Sequence, residues 1–250
     1  MAGSLTAQLP RARKTLNRPP LRLFAPGGCA LALLLGGLVL LADSHAVQVM
    51  GPHLAALPTS ERSVLLSFDD GPDPLATPQI LGVLRQRQVP AIFFLIGEHI
   101  ARHPQLARRI VQEGHQVGNH SYSHPRMVWE HPQAYGREID HTDRLIRSLG
   151  YRGTIDFRAP YGQKLVVLPW LLARRGKLNV LWSVDGRDWI DRDPEAIARR
   201  VVSQVRPGSI VLLHDGPATA KALPALIDGL RRRGFRFRTL RPVPAWAPPP

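Results

Sequence analysis

Val64-Leu65-Leu66-Ser67-Phe68-Asp69-Asp70-Gly71-Pro72 decides the architecture. The short apolar, partly β-branched run suits a strand covered on both faces. Such a strand belongs to a parallel sheet, and its neighbour is reached through a crossover helix. The next residues fit: Thr77 to Gln88 has apolar positions at Ile80, Leu81, Val83 and Leu84 and reads as a helix. Ala91 to Ile96 is a second buried strand. The alternation continues with a helix over 104–113 stopped by Gly114, a strand over 116–119, and a helix over 132–149 ended by Gly150. A strand over 155–157 and a helix over 164–175 follow, the helix interrupted near its start by Pro169. Then come a strand over 178–184, a helix over 194–204 opened by Asp193, a strand over 209–213, a helix over 222–233 and a strand over 235–239. Strands alternating with helices imply parallel pairing through right-handed crossovers. A closed or nearly closed barrel and an open doubly wound sheet both satisfy the pattern. The first strand leads into two carboxylates and not a glycine-rich loop, which argues against a bound nucleotide phosphate.

The 250-residue chain carries 33 basic and 19 acidic residues, a net charge of +14. Its single cysteine, Cys29, excludes an intramolecular disulfide framework and a cysteine-based zinc cluster. Any metal falls to His, Asp or Glu, and ten histidines leave room for one. The late arginines, Arg231 to Arg233, Arg236, Arg238 and Arg241, come with no nucleic-acid motif. They read as a solvated helix end, with no nucleic-acid partner expected.

Arg11, Arg13, Lys14, Arg18 and Arg22 precede an uncharged run from Phe24 to Ala42, and Ser44-His45-Ala46 offers small residues for cleavage. This is the layout of a secretory signal. As a helix the run would rise about 28 Å against a bilayer core of about 30 Å, so an uncleaved anchor competes. Either way the body of the chain is exported. The expected organisation is a signal peptide or membrane anchor over 1–46, a linker over 47–62, one domain over 63–241 and a Pro-rich tail over 242–250.

The polar residues share one topological position. Asp69 and Asp70 close the first strand, His120 and His124 follow the third, and Arg158 and Tyr161 follow the fourth. Asp185 and Asp188 follow the fifth, and His214 and Asp215 close the sixth. In a parallel α/β barrel the C-terminal strand ends face one mouth. His120 and His124, spaced i,i+4, face the same way on a helical turn, although such a pair is more often two surface histidines. A carboxylate from Asp69 or Asp70 would complete a two-His, one-carboxylate metal site. Adjacent aspartates are usually turn formers; held side by side off a buried strand they repel, and a cation relieves that. Hydrolysis at a metal also needs a base for the water proton and an acid for the leaving group. His214, carried into the mouth by its strand and tuned by Asp188, is the candidate acid–base histidine. Arg158 is a candidate partner for one of the aspartates. A structural histidine and a structural salt bridge are the plainer alternatives for these two.

Five segments now stand in order: Ser67-Phe68-Asp69-Asp70-Gly71-Pro72, His120-Ser121-Tyr122-Ser123-His124, Arg158-Ala159-Pro160-Tyr161, Asp185-Gly186-Arg187-Asp188-Trp189 and Leu212-Leu213-His214. Together they resemble the motifs of the polysaccharide deacetylases, carbohydrate esterase family 4, which share the NodB homology domain. The resemblance runs from about Ser63 to Leu240 and implies a distorted (β/α) barrel with about seven parallel strands. It implies Asp69 as general base, and Asp70, His120 and His124 as ligands of a divalent metal, usually Zn2+ and sometimes Co2+ or another ion. It pairs Arg158 with Asp69, gives the Tyr161 backbone N–H to the oxyanion, and makes His214 the general acid, tuned by Asp188. Trp189 and Leu212 would line the pocket for the acetyl methyl. Ser67 replaces the family's commoner threonine, a mild departure that leaves the implied catalytic residues as they stand. The implied activity is metal-dependent removal of N-acetyl groups from N-acetylglucosamine-containing glycans: peptidoglycan, chitin oligomers or exopolysaccharide. The alternatives are an O-acetyl esterase of the xylan type and a glycan-binding module without turnover. A monomer is expected, secreted, periplasmic or membrane-anchored and facing outward.

Overall fold

The computed structural model describes residues 26–44 and 48–243; for 26–32, 34 and 41 it describes the backbone alone. The basic residues 11–22, the Ala46 cleavage position and the tail from 244 onward lie outside the described residues. The chain forms two compact units, residues 1–37 and 38–250. The described part of the first is the start of an apolar helix, α1 (Pro26–Asp43). Among the described residues no helix is long and apolar enough to cross a membrane.

In chain order the second unit continues with β1 (His53–Leu54), β2 (Ser63–Asp69), α2 (Thr77–Gln86), β3 (Ile92–Leu95), α3 (Gly97–Arg102), α4 (Pro104–Gln112) and β4 (Gln116–Asn119). Then come α5 (Pro132–Ser148), α6 (Val167–Arg174), β5 (Asn179–Val180), β6 (Val184–Asp185), α7 (Pro194–Gln204), β7 (Ile210–His214), α8 (Pro217–Arg232) and β8 (Arg236–Phe237). The main sheet runs β4-β3-β2-β7-β6, all parallel, with β8 beside the start of β2. The ladder carries on beyond β4: Phe157 bridges Asn119 to Asn179, β5 pairs with β1, and Ala56 bridges back to Ser209. The result is a distorted α/β barrel, the one of the two arrangements left open by the alternating pattern that the resemblance implies.

The two faces of β2 explain both core and site. Val64, Leu66 and Phe68 pack outward in an apolar layer with Ile80, Leu84, Ile197, Val201, Leu223 and Leu226 from the surrounding helices. Leu65 packs inward with Ile92, Phe94, Val180 and Ile210. Side chains alternate along a strand, so Ser67 and Asp69 share the inward face of Leu65. A buried hydroxyl and a buried carboxylate therefore enter the barrel from the same strand that supplies its apolar floor.

Several expected boundaries differ. The fourth strand, 155–157, reduces to the bridging residue Phe157. The fifth, 178–184, breaks into β5 and β6 because the chain changes partner: Val180 N–H bonds the Phe157 carbonyl, and Ser183 N–H bonds the Ile210 carbonyl. The helix expected over 164–175 spans Val167–Arg174, and Lys164 before it donates its N–H to the Ala42 carbonyl. The last helix starts at Pro217, five residues earlier than expected from 222, and proline at the first helical position costs no hydrogen bond. Within 47–62 the structure adds β1, and Leu57 is buried against the barrel floor.

Candidate active site

Asp69 ends β2 almost fully buried, and its Oδ1 accepts a hydrogen bond from Arg158 Nη1 at 2.7 Å. The guanidinium is completely buried. Arg158 also donates to Ser67 Oγ at 2.8 Å and to the Val180 and Leu181 carbonyls at 2.9 and 3.2 Å, and it lies 4.2 Å over the Phe94 ring. Its charge is thus spread over one carboxylate and three neutral acceptors, the arrangement a buried cation needs.

Asp70 takes the left-handed conformation (φ 71°). This turn breaks the strand's alternation and lets a second carboxylate reach the same mouth as Asp69. Asp70 Oδ1 lies 3.4 Å from His120 Nε2 and 3.3 Å from His124 Nε2. The two histidines do not sit on the expected helical turn. Ser121 (φ 65°) and His124 (φ 58°) are both left-handed, in an irregular loop after β4. Other groups hold that loop. Glu138 on α5 accepts from the N–H groups of Tyr122 and Ser123 and from Ser123 Oγ, while Asn119 Oδ1 accepts from Ser121 N–H.

The three side chains fit a cation. Their ligand atoms lie within 4.8 Å of one another, and the buried Asp70 Oδ1 has no hydrogen-bond donor. His120 Nδ1 faces the Arg158 carbonyl at 2.9 Å, which fixes the proton there and leaves the Nε2 lone pair toward Asp70. Burial alone would raise the Asp70 pKa, but the neighbouring His120 imidazole, with the charges of His124 and His214, holds it well below the usual range. Burial pushes His120 down, and Asp69 and Asp70 more than reverse this. His124 is pushed down to about 4 by burial and by the charge of His120. Two carboxylates beside two imidazoles thus attract positive charge, and a metal competes with the His120 proton for it.

His214 ends β7 beside Asp69. Its Nδ1 faces Asp188 Oδ1 at 2.8 Å, and its backbone N–H donates to Asp188 Oδ2 at 2.7 Å. Thr219 Oγ1 also donates to Oδ2. Burial opposes the charged imidazole, but Asp188, with Asp69 and Asp70, raises its pKa to about 9. At neutral pH this histidine carries two protons, and the one on Nε2 is free of Asp188.

All the expected site residues except Arg158 and Asp188 line one cavity of about 430 Å³. Those two lie behind it, each gripping a lining residue. Tyr161 (φ 58°) sits in the turn Pro160–Gly162 with its ring 4.8 Å from that of His124. Trp189 is exposed at the rim and Leu212 is buried in the wall. Glu138, Thr219 and the lining residues Arg126, Gln163 and Trp182 were not expected. Glu138 and Thr219 lie in helices, where nothing in the sequence separates them from ordinary polar positions.

Residues 56–177 match the family model described as polysaccharide deacetylase. The chain is 42% identical over 195 residues to a chitooligosaccharide deacetylase of Bradyrhizobium sp. (strain ANU 289), covering 72% of this chain and 89% of that one. A peptidoglycan N-acetylglucosamine deacetylase, crystallised with an N-oxidanyl-benzamide, superposes with a TM-score of 0.71 at 36% identity over 75% of this chain and 90% of that one. A family 4 carbohydrate esterase from Streptomyces lividans in complex with acetate gives 0.68 at 35% identity over 72% and 93%. The chain belongs to the polysaccharide deacetylase family, carbohydrate esterase family 4, and is an enzyme of that family.

Proposed function

We propose that this enzyme removes N-acetyl groups from N-acetylglucosamine residues of a cell-envelope glycan, and that Asp70, His120 and His124 hold Zn2+, with Co2+ or another divalent ion as a substitute. The observation that carries the reading is the Asp70-His120-His124 cluster lying in one cavity with Asp69 and His214. Two imidazole nitrogens and one carboxylate oxygen suit zinc and leave coordination positions open. When bound, the ion supplies Lewis acidity that polarises the acetyl carbonyl and acidifies water.

The chain's own residues supply the proton transfers. Arg158 engages Asp69 Oδ1, so Oδ2 is the oxygen free to take a proton from the attacking water. The water oxygen bonds to the acetyl carbon, and the Tyr161 N–H helps hold the resulting oxyanion. As the C–N bond breaks, His214 Nε2 gives its proton to the departing amine nitrogen and acetate leaves. A pKa near 9 keeps His214 protonated for that step at neutral pH. Trp189 and Leu212 enclose the acetyl methyl. Residues 63–241 form the deacetylase domain in this reading, and 1–46 carry it out of the cytoplasm as a signal peptide or an anchor. The names of the relatives, which include chitooligosaccharide and peptidoglycan deacetylases, support the substrate class.

The test is acetate release by zinc-loaded protein from N-acetylglucosamine oligomers and from acetylxylan. Release from the oligomers is expected. Release from acetylxylan alone would make the enzyme an O-acetyl esterase, and binding without release would make it a glycan-binding module.

A further inference from the structure

We propose that Arg126 is a specificity-determining residue that selects glycans bearing a carboxylate on the sugar next to the acetylated one. The inference rests on the deacetylase reading of the site and narrows its substrate class. Arg126 lines the same cavity as the Asp70-His120-His124 cluster and is the one arginine or lysine among the lining residues. It is exposed, and its guanidinium lies 4.6 Å over the Tyr161 ring. That contact holds the guanidinium at the rim without using its N–H groups.

The donors are largely unspent. Nη1 donates to Gln163 Oε1 at 3.0 Å, and Gln163 is itself held by donating from Nε2 to Asp43 Oδ1 at 2.8 Å. Among the described residues no carboxylate forms an ion pair with Arg126. The acidic groups of the cavity are otherwise committed. Asp69 pairs with Arg158, Asp70 faces two imidazoles, and Asp185 accepts the Arg187 N–H. A planar cation with free N–H groups at a cavity rim matches a carboxylate in a two-pronged hydrogen bond. A neutral chitin oligomer offers no such group. A lactyl ether on a neighbouring amino sugar does, and so does a neighbouring uronic acid.

Binding to the zinc-loaded Asp69→Asn protein, the background for all the comparisons that follow, tests this by calorimetry without turnover. The probes are tetrasaccharides in which N-acetylglucosamine alternates with N-acetylmuramic acid or with glucuronic acid, each compared with its methyl ester. At least one free acid is expected to bind about tenfold tighter than its ester, the gain of one charge-assisted pair. The arm that shows the gain identifies the carboxylate source. Arg126→Gln should bring acid and ester within about twofold, and Arg126→Lys should fall between, since it keeps the charge and loses the fork. Equal affinity of acids and esters with Arg126 in place, or a preference that survives Arg126→Gln, would overturn the proposal. Acetate release from the same probes by the enzyme with Asp69 intact reports separately on the deacetylase reading.

Discussion

Asp188 grips His214 at two points: one carboxylate oxygen faces the imidazole Nδ1 at 2.8 Å, and the other accepts the residue's own backbone N–H at 2.7 Å. The double contact fixes both the position of the ring and the nitrogen left to act. It also raises the pKa to about 9 against the opposing effect of burial.

An acid must be protonated to act, so kcat should fall on the alkaline side as His214 loses its proton, near pH 9 or below. A cation held by Asp70 opposes the help that Asp69 and Asp70 give the imidazolium, so about 9 is the upper limit of this limb. Asp188→Asn should move the limb toward the ordinary histidine value by about one unit or more and lower its plateau. A pH–rate profile whose alkaline limb stays in place would remove Asp188 from the tuning of His214.

The proposed metal ligands and the proposed base should separate on mutation. His120→Ala or His124→Ala should abolish stoichiometric zinc binding and lower activity by at least about 100-fold, as should chelation of the wild type. Asp69→Asn should retain zinc and still lose turnover. Zinc content by atomic emission and acetate release on the same samples distinguish the two classes. Full activity after exhaustive chelation would contradict the assignment of Asp70, His120 and His124.

What the sequence revealed was the inventory and its register; what it hid was the local geometry. An apolar strand ending in Asp69-Asp70 marks where carboxylates leave the core, and alternation along β2 carries Ser67 and Asp69 to the inner face. The bend that turns Asp70 to the same mouth depends on a left-handed residue, and aspartate announces that conformation only weakly. His120 and His124 were legible as a pair, but their spacing suggested a helix. Two left-handed residues and the distant carboxylate of Glu138 shape the loop instead. Sixteen positions separate Glu138 from Tyr122, and no periodicity encodes that contact. The break between β5 and β6 was equally hidden, because a change of strand partner leaves the apolar pattern intact.

Arg158 joins the barrel floor to the site, and its removal should be felt in stability as well as rate. Arg158→Met would fill much of the volume over Phe94 but leave the buried Asp69 carboxylate without its cation. Breaking a buried pair from one side costs about 3–5 kcal/mol. Urea unfolding of the zinc-free protein should show a loss of that order, with acetate release strongly reduced in the zinc-loaded form. A loss below about 1 kcal/mol, the range of an exposed pair, would mean that Asp69 does not depend on Arg158.

Asp215 supplies a pH dependence that can be told apart from that of His214. Its backbone N–H donates to the Asp69 carbonyl at 2.8 Å, and its Oδ2 accepts from Thr77 Oγ1 at 2.5 Å. Oδ1 is buried without a partner, and burial raises the pKa to about 7 from an ordinary 3.8. The folded state therefore holds a proton that the unfolded state releases. Its stabilising contribution is fully present below about pH 4 and is lost as the pH rises to about 7. Asp215→Asn keeps the neutral shape without the titration. Relative to the wild type, its urea midpoint should therefore improve between pH 4 and pH 7.5. The His214 contribution follows the same sign in a later window, from about 6.5 to about 9, and should be unchanged in the variant. If the difference in midpoint between Asp215→Asn and wild type is flat across pH 4–7.5, Asp215 is ionised in the folded enzyme and burial does not govern it.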